Sequence, residues 1–201
     1  MTPRQFYDEY LKKIAVDKQT LDDARACRDE IASKAKRVVA EQLGAAVKFI
    51  PAGALAAGTQ IAPLNDVDTV LEIPFRPAAW IGDPGRALRD VQRWVEPVIK
   101  AKYELSSHAL KLTFSDENFT ADIVIGATRS GGGLLIPHCP KDKPHEHCWI
   151  ETHPAAHAQQ VRDRNSTIGY EFAREIRILK ALNRQMGLRT TTAASPCPRF
   201  T

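Results

Sequence analysis

Two aspartates one residue apart, Asp66 and Asp68, open an apolar run, Val70-Leu71-Glu72-Ile73. Residues i and i+2 of a strand face the same way, about 6.5–7 Å apart at Cα, so the two carboxylates project together. That spacing suits a pair of hard cations, and two ions held about 3.5–4 Å apart suit in-line phosphoryl displacement. Just upstream lies Gly53-Ala54-Leu55-Ala56-Ala57-Gly58-Thr59. It reads as a phosphate cradle. Gly53 lets backbone amides approach an anion, and a helix starting just after it adds unpaired N–H groups and a positive dipole end. By itself Asn-Asp-x-Asp is common in solvated turns. Joined to G-A-x-x-x-G-T and followed by a strand, the carboxylate pair is far more specific.

A third carboxylate, Asp122, interrupts the apolar strand FTADIVIG, residues 119–126. Such a charge is costly there unless paired or metal-bound, and a surface-facing aspartate is the plainer alternative. If its strand lies beside that of Asp66 and Asp68, a three-carboxylate site results. The first two would hold both metals, and the third would hold the metal nearer an attacking hydroxyl and help deprotonate it. Farther on, Arg177, Lys180 and Arg184 line one flank of the last helix. A solvated basic face is the ordinary reading. The sharper one has Lys180 reaching a triphosphate as a point charge. The segment PHCPKDKPHEHCW offers His138, Cys139, His145, His147 and Cys148 as soft ligands for zinc, at a spacing no standard finger uses.

The length of 201 residues allows one medium domain with a sizeable core. A net charge of +4 fits an anionic ligand such as a nucleotide and does not argue for a protein that coats nucleic acid. No apolar run approaches the roughly 18 residues of a membrane span, and the N-terminus carries no apolar secretion segment. The four cysteines, Cys27, Cys139, Cys148 and Cys197, are scattered, which reads as a reducing, cytoplasmic setting without a disulfide framework.

Several elements must position these residues. Phe6, Tyr7, Tyr10, Leu11 and Ile14 recur at helical spacing. Thr20 and Asp23 resemble a capping box for a long helix that ends at Gly44, with Leu21, Ala24, Cys27, Ile31, Ala35 and Val38 as its stripe. Residues 47–50 read as a strand. The Asp66 strand ends at Pro74, and Val67, Leu71 and Ile73 face the core. Asp83-Pro84 starts a helix with Leu88, Val91, Val95 and Val98 inward. Residues 103–114 alternate as one strand, and Ser115-Asp116-Glu117-Asn118 reads as a hairpin turn. Residues 130–133 read as a flexible loop, and residues 149–165 as a turn and a helix. The last helix, from about residue 170 to 186, buries Phe172, Ile176, Leu179 and Met186. After Leu188 the chain reads as an irregular tail.

Assembled, these residues resemble the polymerase-β-like nucleotidyltransferase superfamily, and within it the bacterial cyclic-oligonucleotide synthases, relatives of cyclic GMP–AMP synthase and oligoadenylate synthase. The family's Gly-Ser phosphate motif falls on Gly53-Ala54, its G-T on Gly58-Thr59, its D-x-D on Asp66-Val67-Asp68 and its later strand aspartate on Asp122. A W-x-x-T-x-P-x-x-H segment falls on Trp149, Thr152, Pro154 and His157. The family's basic helix falls on residues 174–184, with Lys180 in the phosphate-contacting position. The likeness covers roughly residues 5 to 188.

The resemblance implies an α+β fold, a mixed sheet flanked by helices, with a nucleotidyltransferase core over residues 1–165. Residues 166–188 would begin a helical second lobe, and residues 189–201 would form the tail. It implies two magnesium ions, or manganese in their place, and nucleoside triphosphates as substrates. The product would be a cyclic di- or oligonucleotide, made with release of pyrophosphate and sensed by a downstream effector in antiphage signalling. Neither a membrane nor nucleic acid is an expected partner. Other acceptors on the same fold (an RNA end, a protein, a small molecule) and a nucleotide-binding remnant without turnover are the alternatives. Two departures bear on this. Ala54 stands where the family has a phosphate-binding serine, which implies weakened activity. The pattern also breaks off at Leu188, where the family continues, which implies an incomplete second lobe.

Overall fold

The computed structural model describes residues 2–64, 66–115, 119–169 and 171–187. The hairpin turn expected at residues 115–118 and the tail after Leu188 fall largely or wholly outside them. Two helices come first, α1 (Pro3–Ile14) and α2 (Lys18–Leu43). In α1, Thr2 and Gln5 form a reciprocal capping box. The α2 cap is Asp17, not Thr20. Its carboxylate accepts from the Thr20 amide at 2.9 Å and from the Thr20 hydroxyl at 2.6 Å, because a carboxylate is the stronger acceptor for an orphan N–H. Gly44 closes the helix in the left-handed region, as expected.

Among the described residues seven strands build one mixed sheet. They are β1 (Lys48–Pro51), β2 (Asp66–Ile73), β3 (Lys102–Leu105), β4 (Leu110–Thr113), β5 (Thr120–Thr128), β6 (Leu134–His138) and β7 (Cys148–Thr152). The order is β1-β2-β5-β4-β3, with β6 joining the end of β5 and β7 joining β6. The central pair, β2 and β5, is parallel; every other pairing is antiparallel. The remaining helices are α3 (Gly53–Ala57), α4 (Ala78–Ile81), α5 (Pro84–Val95), α6 (Pro154–Thr167) and α7 (Glu171–Gln185).

One face of the sheet is the core. Val67, Leu71 and Ile73 of β2, Ala121, Ile123 and Ile125 of β5, and Leu110 and Leu112 of β4 pack against Ile31, Ala35 and Val39 of α2 and Leu88, Val91 and Val95 of α5. Each of these larger side chains contributes roughly 1.5–3 kcal/mol by leaving water. Strand alternation sends Asp66, Asp68, Lys111 and Asp122 to the other face. Part of that face is closed by Ala52, Val70 and Leu134, and α1 meets α7 beside it through Ile14, Ile61 and Ala181.

Further expectations are corrected. The run 103–114 is a hairpin of two strands, because Ser106 turns the chain: its Oγ accepts from the Ala109 amide, and its own amide donates to the Ala109 carbonyl. Residues 148–152, where the chain from 149 was expected to turn, form a strand, and so do residues 134–138; the positive-φ run Gly131–Gly133 makes the connection that returns β6 along β5. In α7 the buried residues are Ala173 and Ala181, while Leu179 and Met186 are exposed at 63% and 64%. Ala181 packs against Ile14 of α1 and Ile61. Cys148 is disulfide-bonded, where the scattered cysteines read as a chain without a disulfide framework. Among the described residues no helix is long and apolar enough to cross a membrane.

Candidate active site

The parallel register of β2 and β5 sets Asp68 directly beside Asp122, and Asp66 beside Thr120. Paired residues on neighbouring strands share a face, so Asp68 and Asp122 lie side by side, with Asp66 on the same face two residues along β2. Their charges act on one another. Burial first, and then the Asp66 and Asp122 carboxylates, push Asp68 up to about 6, while Lys180 pulls the other way. Burial also raises Asp122; Lys111 lowers it and Asp66 raises it. Asp122 Oδ1 is buried with no hydrogen-bond partner, an arrangement that costs free energy unless something else binds that oxygen.

The cradle backs onto the same carboxylates. Strand β1 leads through Ala52 into Gly53, whose φ is +67°, and α3 follows as a single turn whose N-cap has no side-chain hydrogen bond. Gly53 packs directly on Asp68: the nearest atom to a Cβ built there is Asp68 Oδ2, at 1.6 Å. Gly58 closes the turn in the left-handed region, and Thr59 is buried, at 3% exposure.

Helix α7 supplies the cation. Lys180 Nζ donates to Thr59 O at 3.2 Å and to Thr59 Oγ1 at 3.0 Å. Burial lowers its pKa, while Asp66 and Asp68 raise it. Two further arginines grip the same segment. Arg162 Nη1 donates to Ala56 O at 3.1 Å, and Arg184 Nη1 donates to Ala62 O at 3.1 Å and to Pro63 O at 3.4 Å. Sequence reasoning missed this clamp, since the bonds run to backbone carbonyls more than 100 residues away and leave no pattern in side-chain types. Ala54 contributes no side-chain donor. The W-x-x-T-x-P-x-x-H segment is built into the scaffold: Trp149 Nε1 donates to Trp80 O at 3.0 Å, Thr152 ends β7 and Pro154 begins α6.

The donor set on the sheet face is all oxygen and anionic, with one buried oxygen unpartnered, and this fits a hard divalent cation. No group of three or more His, Cys, Asp or Glu among the described residues stands together as a ready-made metal cluster. In the segment considered for zinc, His138 Nδ1 instead meets His108 Nε2 at 3.3 Å with the rings stacked, and His147 Nε2 faces Pro140 O.

No protein-family model matches the chain, and no curated protein matches its sequence. Solved structures do match. CdnC of E. coli MS115-1, in complex with HORMA-deltaN, aligns over 91% of this chain and 56% of its own, at 21% identity and a TM-score of 0.69. The STING-associated CdnE c-di-GMP synthase from Capnocytophaga granulosa aligns over 87% and 56%, at 16% identity and 0.66. Vibrio cholerae DncV, a cyclic AMP-GMP synthase solved with the linear intermediate 5′ pppA(3′,5′)pG, aligns over 88% and 64%, at 13% identity and 0.66. The chain therefore has the polymerase-β-like nucleotidyltransferase fold. It is similar in fold to these solved structures, and it spans little more than half the length of the CdnC and CdnE chains.

Proposed function

We propose that this chain is a nucleotidyltransferase that joins nucleoside triphosphates, releases pyrophosphate and yields a cyclic di- or oligonucleotide. The observation that carries the reading is the in-register pair Asp68 and Asp122, with Gly53 packed on Asp68. In this reading the Gly53 turn serves as the anion cradle, Asp66 and Asp68 as the cation-binding pair, and Asp122 as the third carboxylate beside them. Asp66, Asp68 and Asp122 would hold magnesium or manganese, which when bound neutralises phosphate charge and activates the attacking oxygen.

The protein's own groups have distinct tasks. The backbone from Gly53 to Gly58 holds the triphosphate, and Lys180 supports it from α7. The attacking hydroxyl oxygen forms a bond to the α-phosphorus. The bond from that phosphorus to the α–β bridging oxygen breaks, and its electron pair leaves with pyrophosphate. The hydroxyl proton passes to Asp122. A carboxylate raised by burial is a better proton acceptor than an ordinary one. Ala54 leaves the cradle one hydroxyl short, so backbone amides carry the anion and the rate is reduced. A cyclic product would act through a separate effector, as in antiphage signalling.

The test is pyrophosphate release from mixed nucleoside triphosphates with magnesium, comparing the chain with Asp66→Asn/Asp68→Asn. Release by the first and not the second is expected, with product chromatography separating cyclic from linear species. Equal release by both, or none by either, overturns the reading. Triphosphate binding without release favours a nucleotide-binding chain that does not turn over.

A further inference from the structure

Three cations converge on residues 56–63, the exit of the cradle, and the proposed reaction uses only one of them. Ala56 O accepts from Arg162 Nη1, Thr59 O from Lys180 Nζ, and Ala62 O and Pro63 O from Arg184 Nη1. Helix α3 has little else to fix it. It is a single turn without a side-chain cap, and of its own residues only Leu55 is buried. Arg162 is itself aimed, because Gln159 Oε1 accepts from its Nε at 3.2 Å and from its Nη2 at 2.7 Å. Arg184 acts on a residue already tied at its other pole, since the Ala62 amide donates to Ile14 O at 2.8 Å.

To support a triphosphate, Lys180 must leave Thr59. Both of its bonds to that residue are then lost at the moment the cradle has to hold an anion. The Arg184 charge opposes that of Lys180 in the free chain, which favours the move towards a negative ligand. Arg162 and Arg184 stay behind, one on each side of Thr59. A guanidinium keeps its charge at any working pH and, held by several donors, loses less freedom per bond than an ammonium. We infer that Arg162 and Arg184 are positioning residues for the triphosphate. Acting through the backbone carbonyls of Ala56, Ala62 and Pro63, they keep the cradle in its binding shape once Lys180 has turned to the phosphates. This rests on the transferase reading above and adds to it a division of labour between the lysine and the arginines.

The experiment reads binding apart from turnover. Inorganic tripolyphosphate with magnesium probes the cradle alone, by calorimetric titration. The variants are Arg162→Gln, Arg184→Gln and, as control, Arg164→Gln, whose side chain has the same charge and lies exposed on α6. The first two should each weaken binding about tenfold, the scale of one lost hydrogen bond to a charged group. Arg164→Gln should change it less than about twofold. Arg184→Lys, which can still reach a carbonyl, should recover most of the loss. In turnover the KM for triphosphate should rise by about the same factor with kcat changed less than about threefold, the pattern of lost ground-state binding. Without ligand, Arg184→Gln should lower the thermal midpoint more in a Lys180→Met background than alone, because Lys180 otherwise still ties the segment. Equal falls in the two backgrounds overturn the inference. So does equal weakening by all three arginine variants, which would mean charge acting at a distance, and so does unchanged binding in Arg162→Gln or Arg184→Gln. A wild type that fails to bind tripolyphosphate overturns it as well. A wild type that binds it but releases no pyrophosphate from triphosphates is the separate failure of the transferase reading, and the titration still decides the inference.

Discussion

Gly53 and Asp68 are in contact so close that no side chain fits between them: a Cβ at position 53 would lie 1.6 Å from Asp68 Oδ2. The Gly53 turn and the carboxylate strand are thus packed directly on one another. Gly53→Ala must displace Asp68 and also hold alanine at φ +67°, a conformation that costs roughly 1–2 kcal/mol. Pyrophosphate release should fall about a hundredfold or more. Gly44→Ala, outside the cradle, is the control, since φ is +58° but nothing lies within 4 Å. It should lose about 1 kcal/mol of stability and keep most of its activity. Equal losses of activity in the two variants would contradict the contact.

Stability without metal should depend on Asp68 in a definite direction. Its carboxyl titrates near 3.8 in the unfolded chain and about 6 in the folded one. The folded state binds that proton more tightly, so the group favours folding fully below pH 3.8, and this contribution is lost as pH rises through 6. In EDTA, Asp68→Asn should therefore stabilise the chain by up to about 3 kcal/mol at pH 8, with the gain vanishing towards pH 4. Urea unfolding at several pH values measures it. A gain independent of pH would remove the electrostatic explanation.

Lys180 bonds Thr59 through both the backbone and the hydroxyl oxygen, and in the proposed reaction it turns to the triphosphate. Lys180→Met should raise the KM for triphosphate about tenfold or more. Stability should change by no more than about 1 kcal/mol, the ordinary worth of such bonds. Steady-state kinetics alongside thermal unfolding tests this; an unchanged KM removes Lys180 from the site.

Ala54→Ser restores a hydroxyl at the start of α3. One further hydrogen bond to phosphate is worth about 1 kcal/mol, so kcat/KM should rise about fivefold. A decrease would mean that the methyl group, and not its polarity, is what the cradle needs.

Much of this architecture was legible in the sequence, for reasons that differ by element. Strand β2 was readable to its ends, because Val67, Leu71 and Ile73 alternate with polar residues and Pro74 stops the ladder. The convergence of Asp122 with Asp68 was anticipated, since a carboxylate in an apolar strand needs a partner. Register across strands was not legible, and Lys111 owes its place beside Asp122 to register alone. The β3–β4 break was hidden because Ser106 to Ala109 continue the alternation while the Ser106 hydroxyl turns the backbone. In α7 the larger apolar residues were expected inward, yet Ala173 and Ala181 are the buried ones and Leu179 is exposed.

The two faces of β2 and β5 cannot move independently. A slip of one residue in either strand would turn Asp66, Asp68 or Asp122 into the core and expose Leu71 or Ile123 to water. The hydrophobic core therefore proofreads the site: a molecule that has folded at all has its three carboxylates aligned, and a misaligned one is discarded as unfolded.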